Sequence, residues 1–139
     1  MSVHVRVRVA GEAYAIPVEN VLEVVRPGAV TPVPGSRTEL LGMLNLRGNI
    51  LAVADLAQIL GLHRTVPAAR MPAARMLVAE SAGLQAGLVI DEVSEVGELA
   101  GPTQATESEL LAGTTVADGT LIGVINLDHV FASLAQARP

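Results

Sequence analysis

A chain of 139 residues without cysteine or lysine, at a formal charge of −5, can form one compact domain or two very small units that share a core. Those counts exclude disulfide frameworks, thiolate zinc sites, cysteine nucleophiles, lysine-bearing phosphate loops and Schiff bases together. The nine cationic residues are all arginine and form no basic stripe, so nucleic acid is not an expected partner.

Half of the residues are hydrophobic, yet only Tyr14 and Phe131 are aromatic, so the interior must be built from Val, Leu, Ile and Ala, a composition that favours strands. The first segment alternates strictly, with Val3, Val5, Val7 and Val9 on one side and His4, Arg6 and Arg8 on the other, the period of a half-buried strand. Gly11-Glu12 turns the chain into a returning strand, Ala13 to Val18. From Glu19 to Val25 the spacing of Val21, Val24 and Val25 suggests a helical turn while β-branching opposes it; the expectation is a short turn of helix passing into a strand. Pro27, Pro32 and Pro34, with Gly28 and Gly35, mark an extended surface connection.

A second hairpin pairs Met43–Leu46 with Asn49–Val53 around Arg47-Gly48, where glycine supplies a positive φ. Asp55 reads as the N-cap of a helix over Leu56–Leu60 that stops at Gly61. The Ala-, Pro- and Arg-rich stretch 63–75 reads as a loop between two halves. Beyond it the pattern restarts. Ile16-Pro17-Val18-Glu19-Asn20-Val21-Leu22-Glu23-Val24 is echoed, about 72 residues on, by Leu88-Val89-Ile90-Asp91-Glu92-Val93-Ser94-Glu95-Val96. Arg47-Gly48 before Leu51, Val53 and Asp55-Leu56 returns as Asp118-Gly119 before Ile122, Val124 and Asn126-Leu127. These echoes, around 3–62 and 75–135, read as a duplicated strand-rich unit whose copies are each too small to bury a core alone. They imply a single domain over 1–139 made of two barrels on a shared apolar seam, with strand exchange between copies allowed.

Enzyme chemistry finds little support. No G-x-G-x-x-G follows a strand, and His4, His63 and His129 stand alone, with no spacing that assembles a metal site. His4 is expected to point outward and His129 to lie in the closing helix. Asp91 and Glu92, with Glu95 nearby, could supply an acid and a base, but they also fit a solvated turn and edge that keeps the sheet from pairing with another chain. Ser36 and Ser94 lack a nucleophile elbow. No apolar run nears the roughly 20 residues of a membrane span and the start lacks a signal pattern, so a soluble cytoplasmic protein is expected. What remains is an aliphatic scaffold whose tips and edges suit protein partners.

Several separate segments resemble the CheW family, in order. They are Gly11–Val18 running on to Val21, Glu23 and Val24; Thr31-Pro32-Val33-Pro34; Gly42-Met43-Leu44-Asn45-Leu46-Arg47-Gly48-Asn49-Ile50 with Val53 and Asp55-Leu56; Gly87–Val96; and Gly119–Leu127. The resemblance implies an all-β fold of two five-stranded SH3-like barrels with short helices. It implies a non-enzymatic adaptor without cofactor or metal that couples the cytoplasmic tip of a methyl-accepting chemoreceptor to the regulatory domain of a CheA-type histidine kinase. Such a protein is cytoplasmic, is associated with membrane-bound receptor arrays without inserting into the membrane, and has other CheW-like domains as further candidate partners. The receptor-facing positions carried over by the resemblance are Val21, Glu23, Gly42, Asn45, Leu46, Arg47 and Gly48. Where the family often has Pro, this chain has Ala52, which adds a backbone donor. Four alternatives stand beside this reading: a separately expressed domain like the regulatory part of CheA, a specialised array scaffold that engages the kinase differently, a structural adaptor unrelated to taxis, and a small enzyme using Asp91 and Glu92.

Overall fold

The computed structural model describes residues 2–64, 66–102 and 104–137. Strands β1 (Ser2–Val9) and β2 (Glu12–Pro17) form the first hairpin, and a 3-10 turn at Val18–Asn20 leads into β3 (Val21–Val25), as the mixed signal of that segment required. The second hairpin is longer than its sequence signal, β4 (Leu40–Leu46) against β5 (Asn49–Asp55). Helix α1 (Leu56–Ile59) follows, capped by Asp55, whose Oδ1 accepts from Ala57 N at 3.0 Å, and Gly61 ends the run at φ 72°. Of the expected loop 63–75, Ala68–Arg70 form a 3-10 turn and Arg75 already begins a strand. Then come β6 (Arg75–Ser81), β7 (Leu84–Ile90), β8 (Glu92–Leu99), β9 (Leu111–Ala117), β10 (Thr120–Ile125) and α2 (Leu127–Gln136), which carries His129.

The strands make two five-stranded sheets, ordered β8-β1-β2-β10-β9 and β3-β6-β7-β5-β4, each curled into a small barrel. Replacing every strand of the first order by the strand five places away in the chain yields the second order. The second barrel is nevertheless one continuous stretch, β3 to β7, whereas the first takes β1 and β2 from one side of that stretch and β8 to β10 from the other. Parallel pairs β2·β10 and β5·β7 join early and late strands within each barrel. Turn geometry follows the same correspondence: Arg47-Gly48 has φ 49° and 88°, and Asp118-Gly119 has 52° and 75°, the positive pair of a type I′ hairpin turn.

The alternation in β1 has a direct consequence. Val5, Val7 and Val9 meet Ile16, Leu77, Leu88 and Ile90 in one apolar seam between the barrels, closed at the ends by Leu56, Ile125, Leu127, Val130 and Leu134. Each such side chain contributes about 1.5–3 kcal/mol when fully buried. The opposite sheet faces fill the barrels: Leu51, Val53, Met76, Val78 and Val89 in the second, the smaller set Ala15, Leu99, Ile122 and Val124 in the first.

Two sequence expectations need correction. His4 does not face solvent; it is 4% exposed. Strand β1 lies between β8 and β2 in a sheet that curls, so the face away from the seam is a barrel interior, and His4 sits opposite side-chain-free Gly97, its Nδ1 3.1 Å from Ser2 O. Asp91 is not part of a solvated edge either. It is 7% exposed, accepting from Ala10 N at 3.0 Å and from Arg64 at 2.7 Å, and only Glu92 and Glu95 lie on the edge strand β8.

Cleaving the backbone near Pro67 leaves β1–β5 on one fragment and β6–β10 on the other, so each barrel loses strands and both sides of the seam are bared. Neither fragment should fold alone, and the intact chain should melt in one transition. Dispersed NMR spectra and independent melting of both fragments would contradict this.

Candidate functional site

Strands β3 and β4 are the two edges of the second sheet. In a flat sheet of five strands they would stand roughly 19 Å apart, four inter-strand spacings. Curling closes that distance, so that Arg47, at the β4–β5 tip, forms an ion pair with Glu23 on β3. The structure therefore brings together two candidate residues separated by 24 positions, and does so on the surface: the side chain of Arg47 is 65% exposed and that of Glu23 34%.

The other candidates divide by what they touch. Asn45 Oδ1 accepts from Gly48 N at 2.8 Å and locks the tip on which Arg47 rides. Leu46 packs inward with Leu41 and Leu44 against the second barrel's interior, and Val21 packs against the seam. Gly42 is buried, with φ 153°, and a Cβ there would run into the backbone carbonyl of Thr31, which pairs with Met43. It is a backbone device and offers no surface to a partner. Of the seven positions, Glu23, Asn45, Arg47 and Gly48 are open to contact, while Val21, Gly42 and Leu46 support them.

Three apolar side chains escaped the sequence reading. Leu22 and Val24 flank Glu23 on the outer face of β3 at 48% and 44% exposure, and Ile50, opposite Asn45 in the ladder, is 62% exposed. The signal was present: Val21–Val25 is apolar on both faces except at Glu23, which in an edge strand leaves one apolar face uncovered. Ala52, by contrast, lies in β5 between Met43 and Ala86 and is 5% exposed, so its N–H is not an accessible donor.

At the corresponding place in the first barrel the charge on the hairpin tip is reversed. Glu95 and Asp118 stand where the second barrel has Glu23 and Arg47, and Arg6, from β1, bridges both at 2.6 and 3.2 Å. Arg6 pairs with Glu95 across the ladder as Val78 pairs with Glu23. One barrel thus closes on a surface Arg–Glu pair over an apolar interior, and the other on a mostly buried arginine under two carboxylates. The cleft beside Arg6, about 210 Å³, is lined by Arg8, Tyr14, Ser94, Glu95 and Asp118. Tyr14 has its pKa raised above 10.0 by burial and, secondarily, by Glu12. Both carboxylate oxygens of Asp91 are engaged, by Arg64 and by Ala10 N. Among the described residues no cluster of three or more His, Cys, Asp or Glu could hold a metal, and no helix is long and apolar enough to cross a membrane.

Comparison with known proteins agrees with this architecture. A model of the CheW-like domain family matches residues 4–135. The chain is 29% identical over 135 residues to a chemotaxis protein CheW of Thermotoga maritima, covering 88% of this chain and 83% of that one. It is 37% identical over 87 residues to the protein FrzA of Myxococcus xanthus, covering 62% and 52%. Among solved structures, the scaffolding protein TtCheW of Thermoanaerobacter tengcongensis superposes with a TM-score of 0.82 at 28% identity, over 94% of this chain and 87% of that one.

The two candidate glycines should respond differently to alanine. At Gly42 the added methyl meets backbone that cannot yield, and a loss of about 2–4 kcal/mol is expected. At Gly48, with φ 88° and nothing within 4 Å, only the left-handed conformation opposes the substitution, at about 1–2 kcal/mol. Thermal melts of both variants decide it; equal losses would mean that the hairpin tip is packed more tightly than this geometry has it. The single tyrosine gives a second check. Its raised folded pKa adds stability below its unfolded value that is lost as pH rises through the folded one, so phenolate absorbance of the native chain should titrate above that of the unfolded chain.

Proposed function

The chain belongs to the CheW-like domain family, and from that premise we propose that it is a non-enzymatic adaptor joining the cytoplasmic tip of a methyl-accepting chemoreceptor to the regulatory domain of a CheA-type histidine kinase. In this reading the chain is one domain built from a duplicated unit, and it works in the cytoplasm against membrane-bound receptor arrays, where other CheW-like domains are further partners. Val21, Glu23, Gly42, Asn45, Leu46, Arg47 and Gly48 form the receptor-facing region, with Glu23 and Arg47 making the polar contact and the remainder shaping it.

The observation that carries the reading is the placement of Arg47. It projects from a locked hairpin tip, mostly exposed, and its one ion pair, to Glu23, is of the surface kind that contributes about 0–1 kcal/mol. The fold has little need of it. Leu22 and Val24 on β3 and Ile50 beside the hairpin tip add exposed apolar area of the kind a partner helix uses. The first barrel offers an acidic tip at the matching place in its strand order, so the two barrels present different surfaces, which suits a connector of two unlike partners.

Substituting Arg47→Glu should leave the melting transition within about 1 kcal/mol of the parent, the value of one exposed pair. Reversal of charge among groups that face a cation costs about 2 kcal/mol or more, so binding to a receptor-tip fragment should fall at least tenfold. The double variant Glu23→Arg, Arg47→Glu restores an ion pair with reversed direction; it should melt normally and still bind poorly. Titration calorimetry with the receptor fragment, together with a kinase-coupling assay, tests this. A variant that folds and couples normally makes Arg47 a solvated turn residue and removes the main support for the receptor-facing assignment.

A further inference from the structure

Outside the receptor-facing region lies one buried charged group of side chains. Arg64, from the connection between α1 and β6, places NH1 2.9 Å from Asp55 Oδ2 and NH2 2.7 Å from Asp91 Oδ1, and all three side chains are about nine-tenths buried. Asp55 ends β5, in the second barrel, and its other oxygen caps α1. Asp91 lies between β7 of the second barrel and β8 of the first, one of the two places where the chain passes from barrel to barrel. Its other oxygen accepts from Ala10 N, in the first barrel's β1–β2 turn, and its N–H donates to Arg8 O at 3.0 Å. All four carboxylate oxygens are engaged. At the other passage, Val18–Asn20, the side-chain tie is neutral, Asn20 Nδ2 to Glu80 O at 2.9 Å.

Burial of the apolar seam holds the barrels together by a force that is itself non-directional. A two-pronged arginine bridge is directional, and in a buried setting its role is more readily geometric than stabilising. We propose that the Asp55–Arg64–Asp91 bridge fixes the orientation of one barrel against the other, and that coupling depends on that orientation. The second clause rests on the adaptor reading above; the first does not. Arg64 is then a positioning residue, at the far end of β5 from the Arg47 tip, that keeps the surfaces of the two barrels in register.

The chain has no cysteine, so labels can be attached cleanly at Gln85→Cys on β7 and Glu98→Cys on β8, both exposed and in different barrels. Distances between the two spin labels should be narrowly distributed in the parent and broadened by Arg64→Met. Because that change leaves two carboxylates together, the triple variant Asp55→Asn, Arg64→Met, Asp91→Asn is measured beside it; it keeps acceptors for Ala57 and Ala10 and removes the charges. Binding of the receptor-tip fragment alone should change by less than about twofold, while kinase coupling falls by roughly threefold or more, within the range for residues that act between sites. Unbroadened distances in a folded variant overturn the proposal, as does broadening with coupling unchanged, and so does unfolding of both variants, which would assign the bridge to stability alone. A parent chain that binds neither receptor tip nor kinase would sink the adaptor reading instead, and the distance measurement, needing no partner, still decides on the bridge.

Discussion

The seam between the two sheets is the constraint on which the rest depends. Val5, Val7, Val9 and Ile16 from one sheet and Leu77, Leu88 and Ile90 from the other form one surface that neither barrel could leave exposed to water. Because the first barrel is assembled from strands on both sides of the second in the chain, its closure and the docking of the two barrels are one event. The surfaces of the two barrels are therefore linked through a packed interior and not through a flexible linker.

The two barrels share a strand order but differ inside, and that difference shapes their surfaces. Where the second barrel is filled by Met76 and Val78, the first has His4 and Arg6 at the matching ladder positions. An arginine in a barrel mouth needs carboxylates, and Glu95 with Asp118 supplies them, which makes that tip acidic. The second barrel, with an aliphatic interior, leaves its tip free to carry Arg47. One change of interior polarity thus accounts for two unlike tips on an otherwise matched pair.

Much of this was legible in the sequence because it depends on local rules. Alternation in residues 3–9, the Arg47-Gly48 turn, the Asp55 cap and the Gly61 stop each report on a few neighbouring residues, and each is found in place. His4 and Asp91 were misread for different reasons. For His4, period-two reading assigns one face to the core and the other to water, whereas a sheet that curls while packing on a second sheet has two interior faces. Asp91 lies between strands and is buried by partners distant in sequence, Arg64 and Ala10 N, which no local pattern announces. The pairing of Arg47 with Glu23 was invisible as well, since it depends on curvature that no local pattern encodes. Arg64 was read as part of a loop because nothing in an Ala-, Pro- and Arg-rich run announces which cation will be buried.

The exclusive use of arginine has a physical side. Arg6 and Arg64 each bridge two carboxylates that come from different elements, Glu95 and Asp118 in one case, Asp55 and Asp91 in the other. A guanidinium can address two acceptors along fixed directions and is more weakly hydrated than an ammonium, so its transfer into a mostly buried setting costs less. A lysine at either place would bring a compact, strongly hydrated charge that cannot hold both partners in one plane. The same logic does not extend to Arg47, which among the described residues pairs with one carboxylate and is mostly exposed. There the long arm and its donors remain largely in water, so one residue type occupies an internal setting at two positions and an external one at a third.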